Sequence, residues 1–173
     1  MVSSLDRTLV AASVVVVLAV LAAGCMSDSP GQTGPVRVGL ANGDNVSHEY
    51  SVSVVEGEIK EDIVGIHRVD GTVGYASPGQ GIVTYTFRKT NNTVSRIELP
   101  ANRTRSVGTY DLAPDEQHQM NVTGFETGDT LVIVDRSNGI VRSLITSNCA
   151  ESGLEFVSVT AGPTRTQAGD SCL

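Results

Sequence analysis

An all-β fold, an antiparallel sandwich over residues 36–173, is the class this sequence predicts, and three observations carry it. Past Val36, apolar residues recur at every second position rather than at the three-to-four spacing of a helix. Clusters of Gly, Asn, Asp and Pro interrupt that alternation roughly every ten residues, which is turn punctuation for roughly eight or nine short strands. Aromatic residues make up 4% of the chain and tryptophan is absent, so the core has to be built from Val, Ile and Leu. A β-barrel is the alternative closure of the same strands.

The elements follow in order. Val36, Val38 and Leu40 alternate with Arg37 and Gly39, and Asn42-Gly43-Asp44-Asn45 turns the chain. Val46, His48, Tyr50, Val52 and Val54 form one long face opposite Glu49, Ser51 and Ser53. Ile63 to Val69 leads into the turn dipeptide Asp70-Gly71. Val83, Tyr85 and Phe87 alternate with Thr84 and Thr86, which places the three large side chains inward, and Asn91-Asn92 precedes a strand from Val94 to Leu99. Leu131 to Val134 and Ile140 to Ile145 flank Arg136-Ser137-Asn138-Gly139, a hairpin signature. The last predicted strand covers Leu154 to Thr160, and the Gly/Thr-rich segment from Ala161 to Ser171 is expected to be an extension that a disulfide between Cys149 and Cys172 would tie back onto the domain.

The N-terminal end carries a different signal. Arg7 precedes an apolar run from Leu9 to Leu21, which ends in Ala22, Ala23, Gly24 and Cys25. Leu21 to Cys25 resembles the lipobox of bacterial and archaeal lipoproteins. That resemblance implies a signal peptide over residues 1–24, a lipid on Cys25, and attachment to the extracytoplasmic face of the cell membrane. An uncleaved single-span anchor is the alternative, although the run falls short of the roughly 20 residues a spanning helix needs. Two lipid chains suffice for stable attachment, at roughly 0.8 kcal/mol per buried methylene. Residues 25–35, small, polar and rich in Gly and Pro, read as a flexible tether, which leaves 36–173 as a single folded domain.

Net charge is −7, and removing residues 1–24 leaves it unchanged, because they hold one acid, Asp6, and one base, Arg7. Such a chain is a poor partner for nucleic acid. Two lysines, Lys60 and Lys89, stand against ten arginines. Acidic, Lys-poor, Val/Thr/Gly-rich composition resembles the exported proteins of salt-loving archaea, and it also fits an ordinary acidic extracytoplasmic protein. With Cys25 assigned to lipid, Cys149 and Cys172 remain as a pair in an oxidising compartment, and a disulfide between them is the simplest outcome. Asn45, Asn91, Asn102 and Asn121 each begin an Asn-x-Ser/Thr sequon. They are candidates for N-glycosylation, and equally they are the residues that crowd into β turns.

Ile97 to Val107 and Tyr110 to Val122 share one plan: strand, Leu, Pro, polar turn, strand. This resembles the strand connections of immunoglobulin-like modules in archaeal and bacterial surface lipoproteins, without the Cys-Trp-Cys set of antibody domains. The resemblance implies a sandwich whose edge strands and end loops carry any contact surface.

Chemistry is harder to find. The three histidines, His48, His67 and His118, show no HxH or HExxH spacing. His48 falls on the apolar phase of its strand and is expected to be buried with its ring nitrogens hydrogen-bonded. His67 lies in a strand beside Arg68, and His118 in a polar connection. No His or Met follows Cys149, as a blue-copper site requires. The acids Glu56, Glu58, Glu61 and Asp62 read as a solvated connection. The expectation is therefore a non-enzymatic binding or structural module with no cofactor, whose partners are the membrane through Cys25 and an envelope protein or glycan. The alternative is a small envelope enzyme or metal-binding protein using His48, His67, His118 and nearby acids.

Overall fold

The computed structural model describes residues 31–32, 34–59, 64–87 and 93–173. The lipobox, Cys25, the acids Glu61 and Asp62, and the sequon at Asn91 lie outside these residues. Among the described residues no helix is long and apolar enough to cross a membrane.

The described residues form twelve strands in two packed sheets: β1 (Val36–Asn42), β2 (His48–Val55), β3 (Val64–Arg68), β4 (Val73–Ala76), β5 (Gly81–Thr86), β6 (Val94–Glu98), β7 (Thr104–Leu112), β8 (Gln117–Val122), β9 (Thr130–Ser137), β10 (Ile140–Asn148), β11 (Leu154–Ala161) and β12 (Thr166–Cys172). One sheet has the order β12-β11-β1-β8. The other runs β4-β3-β6-β10-β9-β2-β7, with β5 also pairing β10. The fold is thus an all-β sandwich, not a closed barrel. One pairing departs from the antiparallel expectation: β1 and β11 run parallel, from Arg37 opposite Phe156 to Asn42 opposite Ala161. No hairpin joins these distant strands, and alternation within a strand carries no information about the direction of its partner.

Alternation in β1 and β2 does what the sequence implies. Val36, Val38 and Leu40 face Tyr50, Val52 and Val54 across the sandwich, and Leu131, Ile133, Ile145, Val157 and Val159 complete this core. Tyr50 is fully buried, and its hydroxyl joins the sheets by donating to the Ala41 carbonyl (2.8 Å) and accepting from the Ala161 N–H (3.2 Å). A second core lies on the opposite face of β9 and β10. There Val132, Val134, Val141 and Leu144 pack with Val64, Ile66, Ala76 and Val94 of β3, β4 and β6. Because β9 and β10 are buried on both faces, neither alternates cleanly, and β9 carries the apolar run Leu131–Val134. The turn between them places Asn138 (φ 52°) and Gly139 (φ 75°) in the left-handed region that an Asn-Gly hairpin requires.

Two expectations need correction. Ala161 to Ser171 is more than an extension stapled by a disulfide: Thr166 to Cys172 is an edge strand paired along β11. Val83, Tyr85 and Phe87 face the predicted way but are only half-buried. Their strand, β5, hangs on β10 by one side, so Tyr85 and Phe87 pack against the margin of the second core rather than inside it.

Candidate functional site

β2 opens with His48 on its inward phase, and the β1–β2 turn brings Asp44 back toward it. Asn42 fixes that turn: its side-chain oxygen accepts from the Asp44 N–H (2.9 Å), and its amide donates to the carbonyls of Val46 (2.8 Å) and Leu112 (3.0 Å). On the neighbouring strand Asp135 stands opposite Tyr50. The result is a buried row across the sandwich. Asp135 Oδ1 lies 2.5 Å from His48 Nδ1, and Asp44 Oδ2 lies 3.4 Å from His48 Nε2. The second Asp135 oxygen accepts from the Thr166 hydroxyl (2.9 Å), which accepts in turn from the Ser143 hydroxyl (2.7 Å). Asp44, His48, Asp135, Ser143 and Thr166 are all buried, so this is one satisfied polar network inside an apolar fold.

Its electrostatics follow from those distances. Burial pushes the His48 imidazole toward neutrality, but the hydrogen bond and charge of Asp135, and then those of Asp44, outweigh it, so its pKa lies above the usual 6.5. In its protonated form His48 can donate from both ring nitrogens, to Asp135 and to Asp44. Burial raises the Tyr50 phenol, and the Asp135 charge raises it further. A histidine serving as general base needs a hydroxyl at one nitrogen and a carboxylate at the other. Here both nitrogens face carboxylates, and the hydroxyls of Ser143 and Thr166 lie on the Asp135 side. The two carboxylates are also on opposite sides of the ring, which leaves no common point for a metal ion.

Beside this row opens a cavity of about 410 Å³. His48, Ser143 and Thr166 form its buried floor, with Phe87 and Arg142 contributed from one sheet and Thr164 and Arg165 from the β11–β12 turn. At the far end of the sandwich a cavity of about 510 Å³ is bordered by Glu56, Arg105, Glu126 and Asp129. Its charges already hold turns. Asp129 accepts from the N–H groups of Gly57 and Glu126, and Arg105 donates to the carbonyls of Thr123 and Gly124.

The three histidines have separate partners. His67, in β3, contacts Glu98 (2.7 Å), which also pairs with Arg96 (2.9 Å) on the surface. His118 belongs to β8 rather than to a connection, and its ring stacks on Tyr110 at 4.5 Å. Among the described residues, three potential metal ligands come together at Cys149, Asp170 and Cys172. Both sulfurs there are spent on the disulfide between Cys149 and Cys172, whose Cα atoms are 5.7 Å apart. Asn45, Asn102 and Asn121 are exposed.

The sequence placed His48 correctly, but its partners were missed. Asp135 follows the apolar run Leu131–Val134, and a buried acid there was the available signal; Thr166 gave none, because its strand lacks apolar alternation.

No family model and no curated protein matches the sequence. Among solved structures, a chain described as "Trapped Toxin" is similar over 80% of this chain, with 12% identity and a TM-score of 0.34. This chain spans about a quarter of the length of that one, 24%.

Proposed function

We propose that the protein is a lipid-anchored component of the extracytoplasmic face of the cell membrane, carrying a non-enzymatic β-sandwich that binds an envelope protein or glycan. The observation that carries this reading is the Cys149–Cys172 disulfide. It leaves Cys25, at the end of an apolar leader, as the one cysteine outside the pair, and such a bond persists where the compartment oxidises thiols. Acidic, Lys-poor composition suits a hydrated exported surface. A binding role is favoured over catalysis by His48, locked between two carboxylates, and by the separate partners of His67 and His118. Exposed Asn45, Asn102 and Asn121 suit glycan attachment on an exported chain.

The test is Cys25→Ser, followed by membrane fractionation and mass spectrometry of the N-terminus. The native chain is expected in membranes, beginning at a lipid-bearing Cys25, and the variant is expected in the soluble fraction or unprocessed. An intact leader and no lipid on the native protein would overturn the anchor.

A further inference from the structure

We propose that Asn121 carries an N-linked glycan whose first sugar ring packs against Phe156 on the outer face of the four-stranded sheet. This rests on the exported-protein reading above and gives one of its sequons a place in the structure. Asn121, Val122 and Thr123 form the sequon, and β8, which holds Asn121, is an edge strand that pairs with β1 alone among the described residues. Val122 is buried opposite Val36, so Asn121 faces out. Register then sets a row across the sheet: Asn121 stands opposite Arg37, and Arg37 opposite Phe156. Neighbouring strands lie about 4.8 Å apart, so the backbones of Asn121 and Phe156 are about 10 Å apart, and groups reaching inward from both flanks meet over β1.

Phe156 does reach inward. Its Cε2 and Cζ lie 3.7 Å from where a Cβ on Gly39 would stand, so the ring leans across β1 at the one residue of that strand without a side chain. The inward positions of β11 belong to Val157 and Val159, which leaves Phe156 as a half-buried aromatic on the solvent face, beside Ser158. Arg37 is drawn to the β11 flank: its guanidinium meets Glu155 at 2.7 Å and lies 5.7 Å from the centre of the Phe156 ring. The β8 flank is left to the amides of Gln119 and Asn121, which with Phe156, Arg37, Val38 and Met120 border a cavity of about 280 Å³.

Each part suits a sugar bonded to Asn121 Nδ2. The apolar face of the sugar ring covers aromatic surface that β11 otherwise leaves to water. The Gln119 amide offers both a donor and an acceptor to sugar hydroxyls, and Arg37 is already paired with Glu155, which fits an uncharged sugar. Covalent attachment holds the sugar at the cavity, so the contact requires no affinity for free sugar. The other described sequons lie elsewhere. Asn45 is in the β1–β2 turn and Asn102 in the 3-10 turn before β7, between strands rather than on a sheet face.

The test is glycopeptide mass spectrometry on the full chain, purified from the cells that make it, followed by a double-mutant cycle of thermal unfolding midpoints. The peptide holding Asn121 is expected to carry a glycan. Thr123→Ala removes the sequon and keeps the asparagine, and Phe156→Ala removes the ring. In the glycosylated chain Phe156→Ala is expected to lower the midpoint by at least about 2 °C more than it does in the Thr123→Ala background. Phe156→Leu, which keeps apolar bulk without the ring, serves the same cycle if the alanine variant does not fold. A bare Asn121, or equal midpoint shifts in the two backgrounds, would each overturn the proposal. Glycan on Asn121 with unequal shifts, on a chain without lipid on Cys25, would sustain it and overturn the anchor. A bare Asn121 on a lipid-bearing chain would do the reverse, so the two readings fail separately.

Discussion

The centre of the sandwich and the seam between β10 and β12 join the same two sheets by opposite means. At the centre, Val36, Val38, Leu40, Val157 and Val159 meet Tyr50, Val52, Val54 and Ile133, and contact is nearly all apolar. Along the seam the facing pairs are Ser143 with Thr166, Ser147 with Asp170 (2.7 Å), and Cys149 with Cys172. Each pair is 23 residues apart in sequence, so β12 follows β10 in matched steps across the gap between sheets. Only Ala168 adds an apolar contact from β12. Burial is non-directional and tolerates sliding, whereas hydrogen bonds and a disulfide hold one register. The polar seam therefore fixes where β12 lies, and β12 with the turn before it forms one wall of the cavity.

Breaking the seam at its most buried charge should have the largest effect. Asp135→Ala leaves His48 with only Asp44 and frees Thr166, and removing one member of a buried charge pair costs about 3 to 5 kcal/mol. Denaturant unfolding measures it. The wild type should also carry a pH signature. A raised His48 pKa means that the native state holds this proton more tightly than the unfolded chain does. That stabilisation is complete below the ordinary 6.5 and disappears as pH rises through the raised native value. The thermal midpoint should thus fall with rising pH above 6.5, and Asp135→Ala should flatten the dependence.

Ile133→Ala cuts the apolar centre instead, at about 2 to 5 kcal/mol with no change in pH dependence. Equal pH profiles for the two variants would erase the distinction between the regions. Replacing Cys149 and Cys172 together by serine removes a loop closure worth about 3 kcal/mol, and calorimetric unfolding should show that loss without a change of fold. Ser147→Ala, which removes one hydrogen bond to Asp170, should cost about 1 kcal/mol. A loss as large as that of Ile133→Ala would mean that the seam is a core.

The same contrast explains what was legible in the sequence. Strands β1, β2, β9, β10 and β11 announce themselves because each places Val, Leu or Ile at positions facing an apolar layer. The Asn138-Gly139 turn was equally plain, since few residues take positive φ without strain. Thr166-Gln167-Ala168-Gly169-Asp170-Ser171-Cys172 offers no such alternation, and its strand was missed although the disulfide at its end was not. Phe87 looked like core because alternation reports direction and not depth. At the site, His48 was expected to be buried and bonded, yet Asp135 reaches it from 87 residues away and Thr166 reaches Asp135 from 31, and pairing over such distances leaves no local pattern.

Hydrogen-exchange mapping of the full chain before and after reduction of Cys149–Cys172 tests the central claim most directly, that β12 is held by a polar, covalently closed seam while the rest stands on apolar burial. Reduction is predicted to increase exchange across Thr166–Cys172 and leave β2, β9 and β10 protected. Simultaneous loss of protection in β2, β9, β10 and β12 would contradict it, because the seam and the apolar centre would then be a single cooperative unit.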